Sequence, residues 1–172
     1  MPPTFTQPDL PRYSERLFPA YRYLPFQTGD AALPHPRRDK KGHSYGKRDD
    51  YLPQFAPEDW CRCEPYLYGI DLFNHGYWWE AHEALETVWL AAGGSETDCG
   101  RFVQGLIQLA AAQLKRFIGQ MSGAQMLTES ACEKLERTEE IYLGIDAKGL
   151  IAIAQRCLQE DSGQYPSIAL QF

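Results

Sequence analysis

The sequence predicts an all-α fold, a compact bundle of four to five helices with a proline-rich, mostly irregular N-terminal arm packed on it. From residue 58 onward, apolar residues recur at intervals of three and four, which is the spacing of amphipathic helices. Short segments with Gly, Ser or Thr separate these stretches, and none alternates apolar and polar residues as a half-buried strand does. Ten of the twelve prolines lie before residue 58, where no helical or strand period is sustained.

We therefore expect two parts, an N-terminal arm at residues 1–57 and a helical bundle domain at residues 58–172. The arm contains many aromatic residues, among them Phe18, Tyr21 and Tyr23. A freely disordered tail would be less hydrophobic than this. We expect these side chains to lie against the bundle.

The charge of the chain is divided unevenly between the two parts. The net charge is −6, with nine Lys and Arg against six Asp and Glu in the arm, and eight against seventeen in the bundle. The acidic bundle argues against a broad nucleic-acid surface, so no nucleic-acid partner is expected. The arm holds a basic cluster that fits either a solvated loop or a phosphate-binding segment: Arg37, Arg38, Lys40, Lys41, Lys47 and Arg48.

The composition also predicts where the protein works. The longest apolar run, residues 106–112, is interrupted by Gln108 and is too short to cross a bilayer, so no membrane partner is expected. No basic segment followed by an apolar one is visible at the N-terminus, and no secretory signal is predicted. The five cysteines form an odd set without metal-type spacing, which favours free thiols in a cytoplasmic setting.

The first helices of the bundle are bounded by turn residues. Pro57, followed by two acidic residues, predicts a short helical piece, and a helix over residues 65–73 comes next. The second helix is predicted over residues 77–91. It begins after a turn at Gly76, and the glycine pair that starts at Gly93 ends it.

The later helices are bounded by capping residues. Ser95 or Thr97 caps a third helix that reaches about residue 118, where Gly119 stops it. Ser122 opens a capping-box sequence for a fourth helix that reaches about residue 137. Asp146 caps a fifth helix that ends near residue 159.

The second helix carries residues that indicate a functional site. On a helix, Trp78, His82 and Glu86 share one face with Trp89, so an imidazole and a carboxylate lie one turn apart among tryptophans. Aromatic walls with a few polar groups are the usual design of a small-molecule pocket. The third helix adds a stripe of glutamines beside small residues that let another element approach. The candidate binding residues are Asn74, Trp78, Trp79, Glu80, His82, Glu86, Trp89, Gln104 and Gln108.

A metal site is one interpretation of the same helix. The run from His82 to Glu86 resembles half of a zinc-hydrolase motif, with His82 and Glu86 as ligands of a divalent metal and Glu83 as the candidate catalytic base. Two ligands on one helix do not complete such a site. His35, Asp39 and His43 of the arm are candidates for the additional ligands.

A buried polar network is the other interpretation. Glu86, Gln104 and Gln108 would satisfy His82 by hydrogen bonds and would fix how the second and third helices pair. The cluster would then have a structural role only. In that case the apolar helix faces bury the interface of a homo-oligomer.

Three blocks of the sequence form a combined motif. The first is Phe73-Asn74-x-Gly76 followed by Trp79-Glu80-Ala81-His82-Glu83-x-Leu85-Glu86-x-x-Trp89. The second is Gln104-Gly105-Leu106-Ile107-Gln108-x-Ala110-Ala111-Ala112, and the third is Gly123-Ala124-x-x-Leu127. Together they resemble the signature of the domain of unknown function 309 family over roughly residues 65–140.

The resemblance implies a compact all-helical bundle of four or five helices without an established biochemical role. The polar positions that the family shares fall on Asn74, Glu80, His82, Glu83, Glu86, Gln104 and Gln108. One difference concerns the end of the third helix, where relatives often carry a histidine and this chain has Lys115-Arg116-Phe117. If that histidine is a ligand in the relatives, His35 or His43 would have to replace it here.

Our leading hypothesis is a non-catalytic module that binds a small molecule or a protein partner. Its semi-buried site would consist of His82, Glu83, Glu86, Gln104 and Gln108. Two alternatives stay open. One is the metal-dependent hydrolase, and the other is a structural homo-oligomeric subunit whose polar cluster only fixes helix pairing.

Overall fold

The computed structural model describes residues 9–160 and 162–172, and it confirms a mostly helical bundle with an irregular arm packed on it. Five α-helices lie in these residues: α1 (Glu64–Asn74), α2 (Trp78–Ala91), α3 (Asp98–Phe117), α4 (Met121–Leu135) and α5 (Ala147–Gln159). Short 3-10 segments cover Gly29–Ala31, Pro57–Arg62 and Gly94–Glu96. Two strands, β1 (Ile141–Tyr142) and β2 (Ile145–Asp146), form a hairpin. The first eight residues of the predicted arm lie outside the described part of the chain.

Two of the predicted helix caps are confirmed. Ahead of α3, Thr97 Oγ1 accepts the backbone N–H of Gly100 at 2.9 Å. Ahead of α5, Asp146 Oδ1 accepts the backbone N–H of Gly149 at 2.9 Å. Each cap satisfies an N–H group that has no partner within its own helix.

The predicted cap at Ser122 is wrong. Helix α4 already begins at Met121, and Gln120 precedes it without a side-chain cap. The reason is a tight turn after α3, in which Gly119 has a φ of 82° and the backbone N–H of Gln120 donates to the carbonyl of Lys115 at 2.8 Å. The chain reverses within these few residues, so the helix starts before the serine.

The hairpin between α4 and α5 was not predicted. Its strands are two residues long, which is too short for an alternating pattern to be visible. Leu143 and Gly144 connect them with φ angles of 48° and 76°, the left-handed pair that two-residue hairpin turns require. A Cβ atom on Gly144 would lie 2.4 Å from the ring of Trp60, so the indole packs where only glycine leaves room.

Helix α3 lies between α2 and α4 at the centre of the bundle. Its side chains Phe102 and Leu106 are fully buried. Gly105 brings α3 close to α4, because a Cβ atom there would lie only 2.9 Å from Leu135 Cγ. The predicted close approach beside the glutamine stripe is therefore confirmed, and the element that approaches is α4.

Buried polar residues of α1 attach both ends of the described chain to the bundle. Asp71 is fully buried and accepts a hydrogen bond from Arg12 Nε at 2.8 Å. It also accepts the backbone N–H groups of the two residues that follow Arg12, Tyr13 and Ser14, at 2.9 Å each. Asn74 exchanges two hydrogen bonds with the backbone of Ile168, at 2.8 and 2.7 Å. The contacts of Asp71 hold the arm against α1, and those of Asn74 hold the C-terminal tail there.

Two further observations concern the predicted environment. All five cysteines are free thiols; Cys61 is exposed and the other four are buried. Within the described residues, no helix is both long enough and apolar enough to span a membrane.

Candidate functional site

A cavity of about 700 Å³ lies between the arm and the helices α1 and α2, and we call it the arm–bundle cavity. The arm contributes Arg16, Leu17, Phe18, Pro19, Ala20, Arg37, His43, Ser44, Lys47, Arg48, Asp49 and Asp50. The helices contribute Tyr68, Leu72, Trp79, Glu80, Glu83, Ala84 and Thr87. The cavity thus exists only where the arm lies on the bundle.

Glu80 of α2 is the buried polar group of this cavity. Its side chain is 5% exposed, and Oε1 accepts hydrogen bonds from the backbone N–H of Tyr23 and from His43 Nε2, both at 2.9 Å. The second oxygen, Oε2, is buried and has no hydrogen-bond partner among the described residues. Buried polar atoms are nearly always satisfied, so an unpartnered carboxylate oxygen beside a cavity calls for an explanation.

His43 of the arm covers Glu80. Its side chain is 6% exposed, and its second ring nitrogen, Nδ1, lies 2.8 Å from Ser44 Oγ. The Tyr21 ring lies 4.6 Å from the imidazole, and the Tyr21 hydroxyl accepts the backbone N–H of His43 at 3.2 Å. A carboxylate oxygen only accepts hydrogen bonds, so Nε2 carries the hydrogen toward Glu80 and Nδ1 accepts from the hydroxyl of Ser44.

The loop that presents His43 is folded tightly on itself. The backbone N–H of Ser44 donates to the carbonyl of Pro36 at 3.0 Å, and that of Asp39 donates to His35 at 3.1 Å. A Cβ atom on Gly42 would lie 2.3 Å from the carbonyl oxygen of Pro36, so glycine permits this closure. His35, Asp39 and His43 are spaced four residues apart in the sequence, but in the structure they lie in a series of turns and not on one helix.

Ion pairs with the arm occupy the acidic residues of the cavity. Arg37 binds Asp49 and contacts Glu83, with Nε 2.9 Å from Oε2. Arg16 binds Asp50 at 2.8 Å. With Glu80 held by the imidazole, each acidic side chain that lines the cavity has a basic partner.

Lys47 and Arg48 are the two remaining cationic side chains of the lining. Neither forms an ion pair or a side-chain hydrogen bond with any residue that the structure describes. Both are exposed at the edge of the cavity. With His43 neutral, the lining has four cationic and four acidic side chains, so its formal charges balance, but Lys47 and Arg48 are not paired with any of the acidic ones.

His82, Glu83 and Glu86 form a second cluster on α2, which shares Glu83 with the lining of the cavity. One ligand-type atom of each lies within 4.8 Å of the others. His82 Nδ1 is 3.5 Å from Glu83 Oε1, and the Glu86 side chain is exposed. The adjacent Glu83 carboxylate raises the pKa of His82 against the opposing effect of partial burial, and the same contact lowers the pKa of Glu83.

The arm residues considered as additional metal ligands do not join this cluster. His43 is buried on Glu80, and the His35 ring contacts Trp79 at a centroid distance of 5.5 Å. Asp39 accepts the backbone N–H of Lys41 at 2.9 Å. Because Arg37 also contacts Glu83, a guanidinium already lies beside the donors that a metal ion would need.

The glutamines of α3 face other elements than α2. Gln108 Oε1 accepts from Ser130 of α4 at 3.1 Å, and Gln104 Oε1 accepts from Ser95 at 3.4 Å. Neither is hydrogen-bonded to His82 in the described part of the chain. The structure therefore does not bring the glutamines and His82 into one polar network.

The predicted tryptophans and Asn74 have different surroundings. Trp78 is 2% exposed and packs against Phe117 with ring centroids 5.5 Å apart, so it belongs to the core. Trp89 is half-buried and packs against the core. Trp79 lines the arm–bundle cavity. Asn74 is buried and holds the C-terminal tail.

Sequence reasoning did not assign Ser44 or Tyr68 to a site, and it read the basic cluster only as a loop or a phosphate-binding segment. The residues of the cavity come from four stretches of the chain, two in the arm and one each in α1 and α2. Their only visible signal was the unusual density of aromatic and basic residues in a proline-rich arm. No period or spacing links Ser44 to Glu80.

The comparisons with known proteins agree with the motif. Residues 66–127 match the model of a family described as Domain of unknown function (DUF309), which runs from α1 into α4. No curated protein matches the chain. The matched segment holds the α1 and α2 side of the cavity, while the arm lies outside it. The match confirms the resemblance noted in the sequence, and residues 66–127 of this chain are similar to the domain of unknown function 309 family.

Proposed function

We propose that this protein binds a small organic anion with an apolar body in the arm–bundle cavity. The volume of about 700 Å³ is within the range of small-molecule sites, which is roughly 300–1,000 Å³. Phe18, Tyr68, Leu72 and Trp79 supply the apolar wall that such a ligand would contact.

The observation that carries the proposal is which charged side chains of the lining are paired with each other. Each acidic side chain there has a basic partner, whereas Lys47 and Arg48 have none among the described residues. An anionic group on the ligand would pair with these two cations at the edge of the cavity. Its apolar body would lie inside against the aromatic rings.

Fluorescence titration with 8-anilinonaphthalene-1-sulfonate tests this proposal, because the probe is an apolar anion that brightens in apolar surroundings. The double variant Lys47→Gln/Arg48→Gln should bind it about 2- to 30-fold more weakly, since two partly exposed ion pairs contribute about 0.4–2 kcal/mol together. The uncharged probe N-phenyl-1-naphthylamine should bind both proteins equally.

The matched control is Arg38→Gln/Lys40→Gln. It removes one arginine and one lysine from the same exposed loop, and neither residue lines the cavity. Equal weakening by the two double variants would mean that only the general charge of the loop matters. That result would overturn the proposal.

The metal-dependent hydrolase is the second candidate, favoured by the close grouping of His82, Glu83 and Glu86. In this geometry Glu83 is a further ligand or the base, and its contact with Arg37 opposes both roles. Elemental analysis of untagged protein and of His82→Ala tests it. Stoichiometric metal that disappears in the variant would support a metal site.

Self-association and a cytoplasmic location are the remaining predictions. The free thiols are compatible with a reducing compartment. Light scattering and fractionation would test these two predictions separately.

A further inference from the structure

Three side chains at the arm–bundle cavity form a hydrogen-bonded series. Ser44 Oγ lies 2.8 Å from His43 Nδ1, and His43 Nε2 lies 2.9 Å from Glu80 Oε1. All three residues line the cavity. A nucleophile within hydrogen-bond reach of a base, with a third group orienting that base, is the arrangement of hydrolases that form covalent intermediates.

We propose that Ser44 is a nucleophile and His43 its general base, and that the cavity hydrolyses small esters whose acyl group or alcohol carries a negative charge. The inference rests on the proposed function, since the substrate would occupy the same cavity as the anion. It adds a chemical step to binding.

The hydrogen-bond directions favour this assignment. Nε2–H donates to the Glu80 carboxylate, so the lone pair of Nδ1 points at the Ser44 hydroxyl and can take its proton. Glu80 is nearly fully buried and its Oε2 has no partner in the described chain, so no second cation competes with His43 for its negative charge. A buried carboxylate in that position stabilises the imidazolium that forms when His43 accepts the proton.

The reaction balances with water as the only co-reactant. Ser44 Oγ forms a bond to the acyl carbon while its proton moves to His43 Nδ1, and the carbonyl electron pair moves onto oxygen. The tetrahedral intermediate then breaks the bond to the alcohol oxygen, which takes the proton from Nδ1. A water molecule next gives a proton to Nδ1 as its oxygen bonds to the acyl carbon. The bond from that carbon to Ser44 Oγ then breaks, Oγ takes the proton back from Nδ1, and the acid is released.

The chain also provides cations for the negative charge of the intermediate. The backbone N–H of Lys47 donates to the carbonyl of Ser44 at 3.2 Å, so both residues belong to one turn. The side chains of Lys47 and Arg48 line the same cavity. They can pair with the charged group of the substrate or with the oxyanion.

Glu80 is a positioning residue, since it contacts His43 and not the acyl group. In Glu80→Gln the hydrogen bond can persist while the negative charge is lost. We expect kcat to fall at least about 10-fold, whereas KM and the affinity for 8-anilinonaphthalene-1-sulfonate stay within about 2-fold. A merely structural role would loosen the arm, and both KM and probe affinity would then change.

The test uses the full-length protein with a fluorophosphonate reagent and with 4-nitrophenyl succinate, a small ester that carries a carboxylate. Intact mass and peptide mapping should show one adduct, on Ser44. The ester should be hydrolysed with kcat/KM at least about 100-fold above the value of Ser44→Ala, and His43→Gln should lose about 100-fold or more. The matched control Ser122→Ala removes an exposed serine of α4 and should behave as the wild type.

Two results would overturn the inference while leaving the binding proposal in place. One is hydrolysis by Ser44→Ala at the wild-type rate while the probe binds normally. The other is the absence of any adduct on Ser44 in protein that binds the probe. Weaker probe binding by Lys47→Gln/Arg48→Gln, together with an adduct on Ser44 of the wild-type protein, would support both proposals.

Discussion

Asp71 and Glu80 are the residues that attach the arm to the helices. Each is a buried carboxylate on the bundle whose partners come from the arm, more than thirty residues away in the chain. Burying a carboxylate is costly unless it is paired and hydrogen-bonded. The hydrogen bonds of Asp71 and of Glu80 Oε1 to the arm therefore form only when the arm is in place.

Replacing Asp71 should show how strongly the arm is held. We expect Asp71→Ala to lower the free energy of unfolding by about 3 kcal/mol, because Arg12 and two backbone N–H groups lose their acceptor. Urea unfolding of the wild type and the variant measures this difference in the free energy of unfolding. The control Asp30→Ala, at an exposed position of the arm, should change the value by less than about 0.5 kcal/mol. A similar small change in Asp71→Ala would contradict this assignment.

His82 should make the stability depend on pH. Its pKa in the folded protein is raised from 6.5, chiefly by Glu83, so its contribution is fully present below the unfolded pKa and is lost as pH rises through the folded pKa. The lowered pKa of Glu83 keeps that carboxylate charged at pH 5.5. His82→Gln should therefore destabilise the protein more at pH 5.5 than at pH 8.5, by less than about 1 kcal/mol because the pair is partly exposed.

Thermal melting at the two pH values measures this difference. An equal loss at both would mean that the contact with Glu83 contributes nothing to folding. In the variant Glu83→Gln, a second substitution of His82 should show a smaller pH-dependent effect, because only Glu86 then still raises the pKa of His82.

At the scale of the elements, the close packing of α3 on α4 depends on Gly105. We expect Gly105→Ala to destabilise the fold by about 1–3 kcal/mol, because the added Cβ would lie 2.9 Å from Leu135 Cγ and 3.2 Å from the carbonyl oxygen of Ala131. Gly123→Ala is the matched control, since its Cβ would meet only the flexible Lys115 side chain at 3.4 Å. The control should be neutral or stabilising by about 0.5 kcal/mol. Equal urea midpoints would contradict the packing argument.

The elements were predictable to the extent that local chemistry decides them. Thr97 and Asp146 cap their helices through hydrogen bonds three residues away, and such pairs are visible in sequence. Ser122 has the same pattern, but the turn at Gly119 starts α4 earlier. The two-residue strands of the hairpin depend on Trp60, which packs on Gly144 from far away in the chain.

The site was less predictable because long-range contacts build it. Trp79, Glu80 and Glu83 could be singled out on α2, but their partners His43 and Arg37 lie in an irregular loop of the arm. No sequence pattern predicts which residue of an irregular loop will contact a helix about forty residues later in the chain. The glutamine stripe was correctly read as facing an element, yet its geometry leads to Ser130 of α4.

On the scale of the whole molecule, the arm and the matched family segment share one cavity. The bundle supplies Tyr68, Leu72 and the α2 residues, and the arm supplies the cations and His43. The functional site should therefore depend on the fold of the arm as much as on the bundle. A change that opens the arm loop should remove binding while the helices stay intact.

Gly42→Ala tests this dependence. Its Cβ would lie 2.3 Å from the carbonyl oxygen of Pro36 and 2.4 Å from that of His35, so the loop must open and move His43 away from Glu80. We expect probe affinity to fall at least about 10-fold with unchanged far-ultraviolet circular dichroism. Gly123→Ala, the same chemical change on α4, should keep wild-type affinity. Unchanged probe affinity in Gly42→Ala would show that the binding site does not depend on the fold of the arm loop.

The most direct measurement is to locate the anion on the protein. A second cavity of about 460 Å³ lies between α4 and α5, where Thr128 and Leu158 line it, and it could also accept an apolar probe. Nuclear Overhauser effects between 8-anilinonaphthalene-1-sulfonate and the isotope-labelled protein distinguish these two cavities. We predict contacts to the Trp79 indole and the Ala84 methyl group. Contacts to Leu158 without any to Trp79 would contradict the assignment of the arm–bundle cavity as the binding site.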